Sequence, residues 1–130
     1  MQTVLFSPDA DNLKFDIRFT GLIGASYRAT LFEKNSNTIV TEFTGNNNDP
    51  TNDTFPLPVP LNSNDERVIE LWVLYSALDD ADIGSNFSVE VNILQTVGGV
   101  DTTLLTFGTN GKILANNPAF HEFILFKINP

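Results

Sequence analysis

The chain has no cysteine among its 130 residues. That one absence excludes disulfide frameworks, thiolate metal centres and cysteine nucleophiles, and it fits a reducing compartment. Basic residues are scarce as well: seven Lys and Arg face sixteen Asp and Glu, for a formal charge of −9. The cations Lys14, Arg18, Arg28, Lys34, Arg67, Lys112 and Lys127 are scattered along the chain. A nucleic acid would meet a repulsive surface, and no basic patch is present to hold an anionic membrane. No apolar run approaches the roughly 20 residues of a spanning helix. The opening MQTVLFSPDAD lacks a basic start and has only three consecutive apolar residues, so it reads as neither a secretory signal nor a presequence. The expectation is a cytoplasmic protein.

Helical periodicity with caps is also missing, and period-two alternation takes its place. In LKFDIRFT (13–20) the alternation puts Leu13, Phe15, Ile17 and Phe19 on one face and Lys14, Asp16, Arg18 and Thr20 on the other. FSVEVNIL (87–94) repeats the pattern with Phe87, Val89, Val91 and Ile93 inward. SYRATLFEK (26–34) and TIVTEF (38–43) read as a hairpin through Asn35-Ser36-Asn37, because short Asn-rich links tolerate positive φ. VIELWVLYSAL (68–78) is apolar on both faces and is expected to be a central strand covered on both sides, with Trp72 in the core. Gly98-Gly99 predicts a two-residue hairpin turn, and Thr109-Asn110-Gly111 predicts a second turn into KILAN. AFHEFILFKINP supplies a last strand, in which Phe120, Phe123 and Phe126 cannot all face one side.

A hydrophobic share of 42%, with 11 Phe, supports a packed core, and 130 residues suit a single domain over 1–130. Short strands with turn signals about every ten residues predict an all-β fold, an antiparallel two-sheet β-sandwich of about eight strands. Pro56 and Pro58 lack backbone donors, which sends the Phe55–Val59 segment to a sheet edge.

Charge gathers in the middle of the chain. Asp49, Asp53, Asp65, Glu66, Glu70, Asp79, Asp80 and Asp82 stand against Arg67 alone between residues 44 and 84. If the loops around 45–54 and 79–86 share one end of the sandwich, that end is strongly acidic. Converging carboxylates are what calcium needs, so Asp49, Asp53, Asp79, Asp80 and Asp82 are the candidate ligands or partner contacts. A helix-loop-helix calcium site is a poor fit. Counted from Asp79, Gly84 and Glu90 fall at the sixth and twelfth positions, but Ala81 and Ile83 sit where side-chain oxygens are required.

NDPTNDTFPLPV (48–59), an apolar strand, DDADIG (79–84) and an alternating strand together resemble the middle of a C-two domain, the calcium- and lipid-binding β-sandwich first defined in protein kinase C. Pro50, Asn52, Asp53, Phe55, Leu57 and Val59 lie on that family's pattern with one residue missing, and Asp80, Ile83 and Gly84 match its Asp-Asp-apolar-Ile-Gly turn, from which Ala81 and Asp82 depart. The family's Asp-x-Asp pair before the turn falls on WVLYSAL, which has no carboxylate. The resemblance therefore implies a calcium-independent, protein-binding variant, with no cofactor required.

Elsewhere the residues offer little chemistry. His121 is the sole histidine, no serine sits in a nucleophile elbow, and phosphate-binding glycine spacings are absent. Glu33, Glu42, Glu70, Glu90 and Glu122 could meet across a sheet, yet nothing selects a catalytic pair. The sequence thus points to a non-enzymatic binding module that recognises a protein partner through its loops, with divalent-ion binding optional. Two alternatives stand beside it. One is a self-associating structural subunit of coat, tail or filament type; the other is a carbohydrate-binding module using Trp72, Tyr75 and Tyr27, which requires Trp72 to reach the surface.

Overall fold

The computed structural model describes residues 1–21, 23–46 and 53–130. Nine strands appear among them: β1 (Gln2–Phe6), β2 (Asn12–Gly21), β3 (Ile23–Phe32), β4 (Ile39–Asn46), β5 (Asp53–Pro56), β6 (Val68–Ala77), β7 (Asn86–Val97), β8 (Val100–Lys112) and β9 (Phe120–Ile128). They form a five-stranded sheet in the order β1-β9-β6-β3-β4 and a four-stranded sheet in the order β5-β2-β7-β8. The two sheets pack as a sandwich, as the alternation predicts.

The inward residues of both sheets make one core. Phe15, Ile17, Val91 and Ile93 from the four-stranded sheet and Ala29, Leu31, Leu71, Val73, Ile124 and Phe126 from the five-stranded sheet are fully buried. Phe6 meets Phe126 edge-on with ring centroids 6.4 Å apart, which closes the core beneath β1. The final strand divides its phenylalanines as its spacing requires. Phe126 and Phe120 pack toward the core, while Phe123 faces outward beside His121.

Turn chemistry is followed at two places. Asn35 takes φ 51° in the β3–β4 hairpin, and Gly98 and Gly99 take φ 58° and 80° between β7 and β8, the paired positive values of a tight hairpin. β5 is an edge strand as expected, but it spans Asp53–Pro56 and stops where the expected Phe55–Val59 segment has only begun.

Four expectations need correction. β1 adds a strand that the sequence pattern does not announce, and it pairs parallel to β9, so the sandwich is not wholly antiparallel. Short edge strands of this kind take their stability from the neighbour's free edge and carry little periodicity of their own. β4 continues through Gly45 to Asn46 because β3 offers partners as far as Ser26. β8 does not turn at Thr109-Asn110-Gly111; it runs to Lys112, with Asn110 opposite Ser88 and Gly111 opposite Phe87. Finally, β6 is central but covered on one side only. Ile69, Leu71 and Val73 are buried, whereas Val68, Glu70 and Trp72 are half-buried and Leu74 is 60% exposed.

Candidate functional site

The open side of β6 organises the outer face of the five-stranded sheet. Register places Thr44, Arg28, Trp72 and His121 in one row across β4, β3, β6 and β9. Trp72 is therefore an outward residue on a wet sheet face, contrary to the core position expected from LWVLY. Its indole is stacked on the His121 ring, with centroids 3.6 Å apart and planes 9° from parallel. His121 is held in turn by Glu70, whose Oε2 lies 3.0 Å from Nε2, and by Phe123 edge-on at 4.8 Å. Glu70, His121 and Phe123 thus fix the indole from the β9 side.

The β3 side of the indole is open. A slot of about 300 Å³ lies there, lined by Ser26, Tyr27, Arg28, Trp72 and Leu74. A second trough shares Ser26 and Leu74 and continues past Gly24, Asn46 and Ser76. Small residues on the outer face of β3 make this depression, because Gly24 and Ser26 leave the space between Leu74 and β4 unfilled. Among the described residues the Arg28 guanidinium has no ion-pair or hydrogen-bond partner, although its chain carries a large excess of carboxylates.

The acidic residues are arranged differently. β3 runs antiparallel to both β4 and β6, so the ends of β4 and β6, and with them the stems of both acidic loops, lie at one end of the sandwich. Asp53 begins β5 there, but its carboxylate accepts a hydrogen bond from the Tyr27 hydroxyl. Asp79, Asp80 and Asp82 occupy a short 3-10 turn between β6 and β7, where the Asp79 carboxylate accepts the Ala81 N–H at 3.0 Å. Asp49 lies outside the described residues. Among the described residues no group of three metal-ligating side chains comes together.

Tyr27 joins the slot to this acidic end. Burial, and then the hydrogen bond to Asp53, push its hydroxyl well above the ordinary tyrosine value of 10.0. The folded chain therefore keeps the proton that the unfolded chain gives up above that value. The stability it contributes is intact below about pH 10 and is lost as pH rises beyond it. Thermal unfolding across the alkaline range is expected to show Tm falling past that point, with a shallower fall in Tyr27→Phe.

On the opposite, four-stranded face, sequence reasoning missed a polar row. Thr54, Asp16, Asn92 and Thr106 lie side by side across β5, β2, β7 and β8. Asp16 was expected on a wet face, yet it is 2% exposed. It accepts hydrogen bonds from Thr54 Oγ1 at 2.8 Å and Arg18 Nε at 2.9 Å, and Thr106 Oγ1 donates to Asn92 Oδ1 at 2.6 Å. Each strand's alternation was visible; the register that brings these four together was not. The network is satisfied internally and leaves no buried side-chain donor or acceptor open among the described residues.

Compared with known protein families, curated proteins and solved structures, the chain matches none.

Proposed function

We propose that the protein is a non-enzymatic binding module whose ligand, a carbohydrate, seats on Trp72. The observation that carries this reading is the indole held rigidly by His121 on one side and facing an open slot on the other. A pyranose ring has an apolar C–H face suited to an aromatic surface, and its rim of hydroxyls suits a few fixed polar groups beside that surface. Ser26 supplies a hydroxyl, and Arg28 supplies a planar fork of donors with no partner among the described residues. That fork favours a sugar bearing a carboxylate, so hexuronates rank above neutral hexoses. The open slot accepts a chain passing through it, and the trough beside Gly24 and Ser76 extends its path.

Trp72 is the only tryptophan, so intrinsic fluorescence reports on this site alone. Titration with hexagalacturonate is expected to give a saturable change in emission, smaller with cellohexaose and lost in Arg28→Ala. Emission unchanged by both sugars up to millimolar concentrations would overturn the reading.

A second reading is a protein partner on the same face, rather than at the loops. It is favoured by Leu74 and Leu78, which are 60% and 62% exposed and extend the apolar line of β6 beyond the slot. Leu78→Ser separates the two, since it weakens protein docking and spares the sugar response.

A further inference from the structure

We infer that the chain forms a two-fold dimer by antiparallel pairing of β8 with β8 of a second copy, making one continuous eight-stranded sheet. β8 is the last strand of the four-stranded sheet, and among the described residues β7 alone pairs with it. An unpaired strand edge offers a row of N–H and C=O groups to another chain, and soluble proteins usually keep such edges short, charged or interrupted by proline. The other edges of this sandwich follow that rule or are brief: β5 has four residues and ends in Pro56, β1 has five, and β4 has eight with Glu42 at its middle. β8 has thirteen residues and no proline; its ladder with β7 is interrupted once, by a bulge at Leu104, which leaves Leu105–Lys112 as a regular edge.

Charge points to a second copy as the occupant. On a chain of net charge −9, residues 102–111 of β8 carry no charge at all. Asp101 and Lys112 stand at its two ends; Asp101 already meets Lys14 at 3.3 Å and accepts the Thr96 hydroxyl, whereas the Lys112 ammonium has no ion-pair or hydrogen-bond partner among the described residues. Antiparallel pairing of identical strands brings Lys112 of each copy toward Asp101 of the other. Apolar surface at the same edge would be covered as well. Leu104, Leu105 and Phe107 are only half-buried there.

Symmetry then has a functional consequence. The two-fold axis of such a pair stands perpendicular to the shared sheet, so both five-stranded sheets lie on the same side of it. Their outer faces, each with its Trp72 slot, point in the same direction. The dimer is a bivalent surface, and this last step rests on the carbohydrate reading above.

The test exploits the absence of native cysteine. Sedimentation equilibrium of the whole chain from micromolar to millimolar concentration is expected to reach twice the 14.3 kDa chain mass. Thr103→Cys, Thr106→Cys and Asn110→Cys, scanned singly, are expected to give a disulfide-linked dimer from the position nearest the axis. That link should form about tenfold faster than from Ser36→Cys in the β3–β4 turn. Lys112→Glu should shift the equilibrium toward monomer. On an immobilised polygalacturonate surface the wild-type dimer should dissociate on the order of 10-fold or more slowly than the Lys112→Glu monomer. A chain that stays monomeric throughout, or a dimer that cross-links from none of the β8 positions, overturns the inference. A β8-linked dimer that ignores the sugar surface upholds the dimer and overturns the carbohydrate reading.

Discussion

Replacing Arg67 by alanine is expected to destabilise the protein by about 3 kcal/mol and to lower Tm by roughly 10 °C. Arg67 follows a 3-10 turn over Leu61–Asn64 at the end of the sandwich opposite the acidic loops, and its guanidinium ties that turn to the β3–β4 hairpin. Nε and Nη2 donate to the two oxygens of Glu33 at 2.9 and 3.1 Å, while Nη1 donates to Asn64 Oδ1 at 3.1 Å and Ser63 Oγ at 3.3 Å. The Glu33 end is half exposed, so the ion pair itself contributes little. The larger loss is at Asn64, which is fully buried and whose other hydrogen bond runs from Nδ2 to the Pro58 carbonyl at 2.9 Å. Without Arg67 the Asn64 carbonyl oxygen is orphaned in the interior, and a buried unsatisfied acceptor costs more than the bond it made. Arg67→Lys keeps the charge but lacks the fork, so it should recover only part of the loss. The same variant has a second readout. Hydrogen bonding from Arg67 is the main cause that holds the Glu33 carboxyl below the usual carboxylate range, so in Arg67→Ala that carboxyl should titrate closer to its ordinary value by NMR. A loss of less than about 1 kcal/mol in denaturant unfolding would show that the guanidinium is not the pin described here.

What could be read from the sequence divides along a physical line. Alternation reports which side of a strand meets the core, because that side is chosen by burial of each residue in turn. Leu13, Phe15 and Ile17, and likewise Val89, Val91 and Ile93, are buried as their spacing predicts. Register between strands far apart in the chain leaves no such trace. Asp16 looked like a solvated residue because Thr54, Asn92 and Thr106, which enclose it, come from three other strands. The Trp72 site failed for the opposite reason. A run apolar on both faces predicts cover on both faces, but only the sandwich interior covers β6 here, and the outward half of the run, Trp72 and Leu74, is left to make a surface. Asp53 stands out in the sequence only as one of several loop carboxylates; its hydrogen bond with Tyr27 depends on β5 lying at the edge of the other sheet. The turn expected at Asn110-Gly111 was a sound local preference. It is overridden by β7, which offers a ladder of backbone partners as far as Asn86.

The strand that runs through that false turn holds the residue with the largest expected effect. Gly108 lies in β8 opposite Glu90, and a Cβ built on it would overlap the carbonyl oxygen of Val89 and press on the Val89 carbonyl carbon. These are backbone atoms of the neighbouring strand, so no rotamer change can relieve the overlap. Either the ladder between β7 and β8 opens or β8 shifts as a whole. Overpacking that forces backbone movement costs about 3 kcal/mol or more, and Gly108→Ala should reach that figure with a single methyl group. Gly24→Ala isolates the cause. Gly24 also lies in a strand and faces outward, but a Cβ there meets nothing closer than the Leu78 side chain at 3.5 Å, an ordinary contact. Its lost backbone freedom in the unfolded state makes that change neutral or slightly stabilising. Paired chemical-denaturation curves should therefore separate two glycine-to-alanine changes on outward strand positions by about 3 kcal/mol. Equal midpoints would mean that β8 approaches β7 less closely at Gly108 than described, and that glycine there serves some other need than room for the backbone.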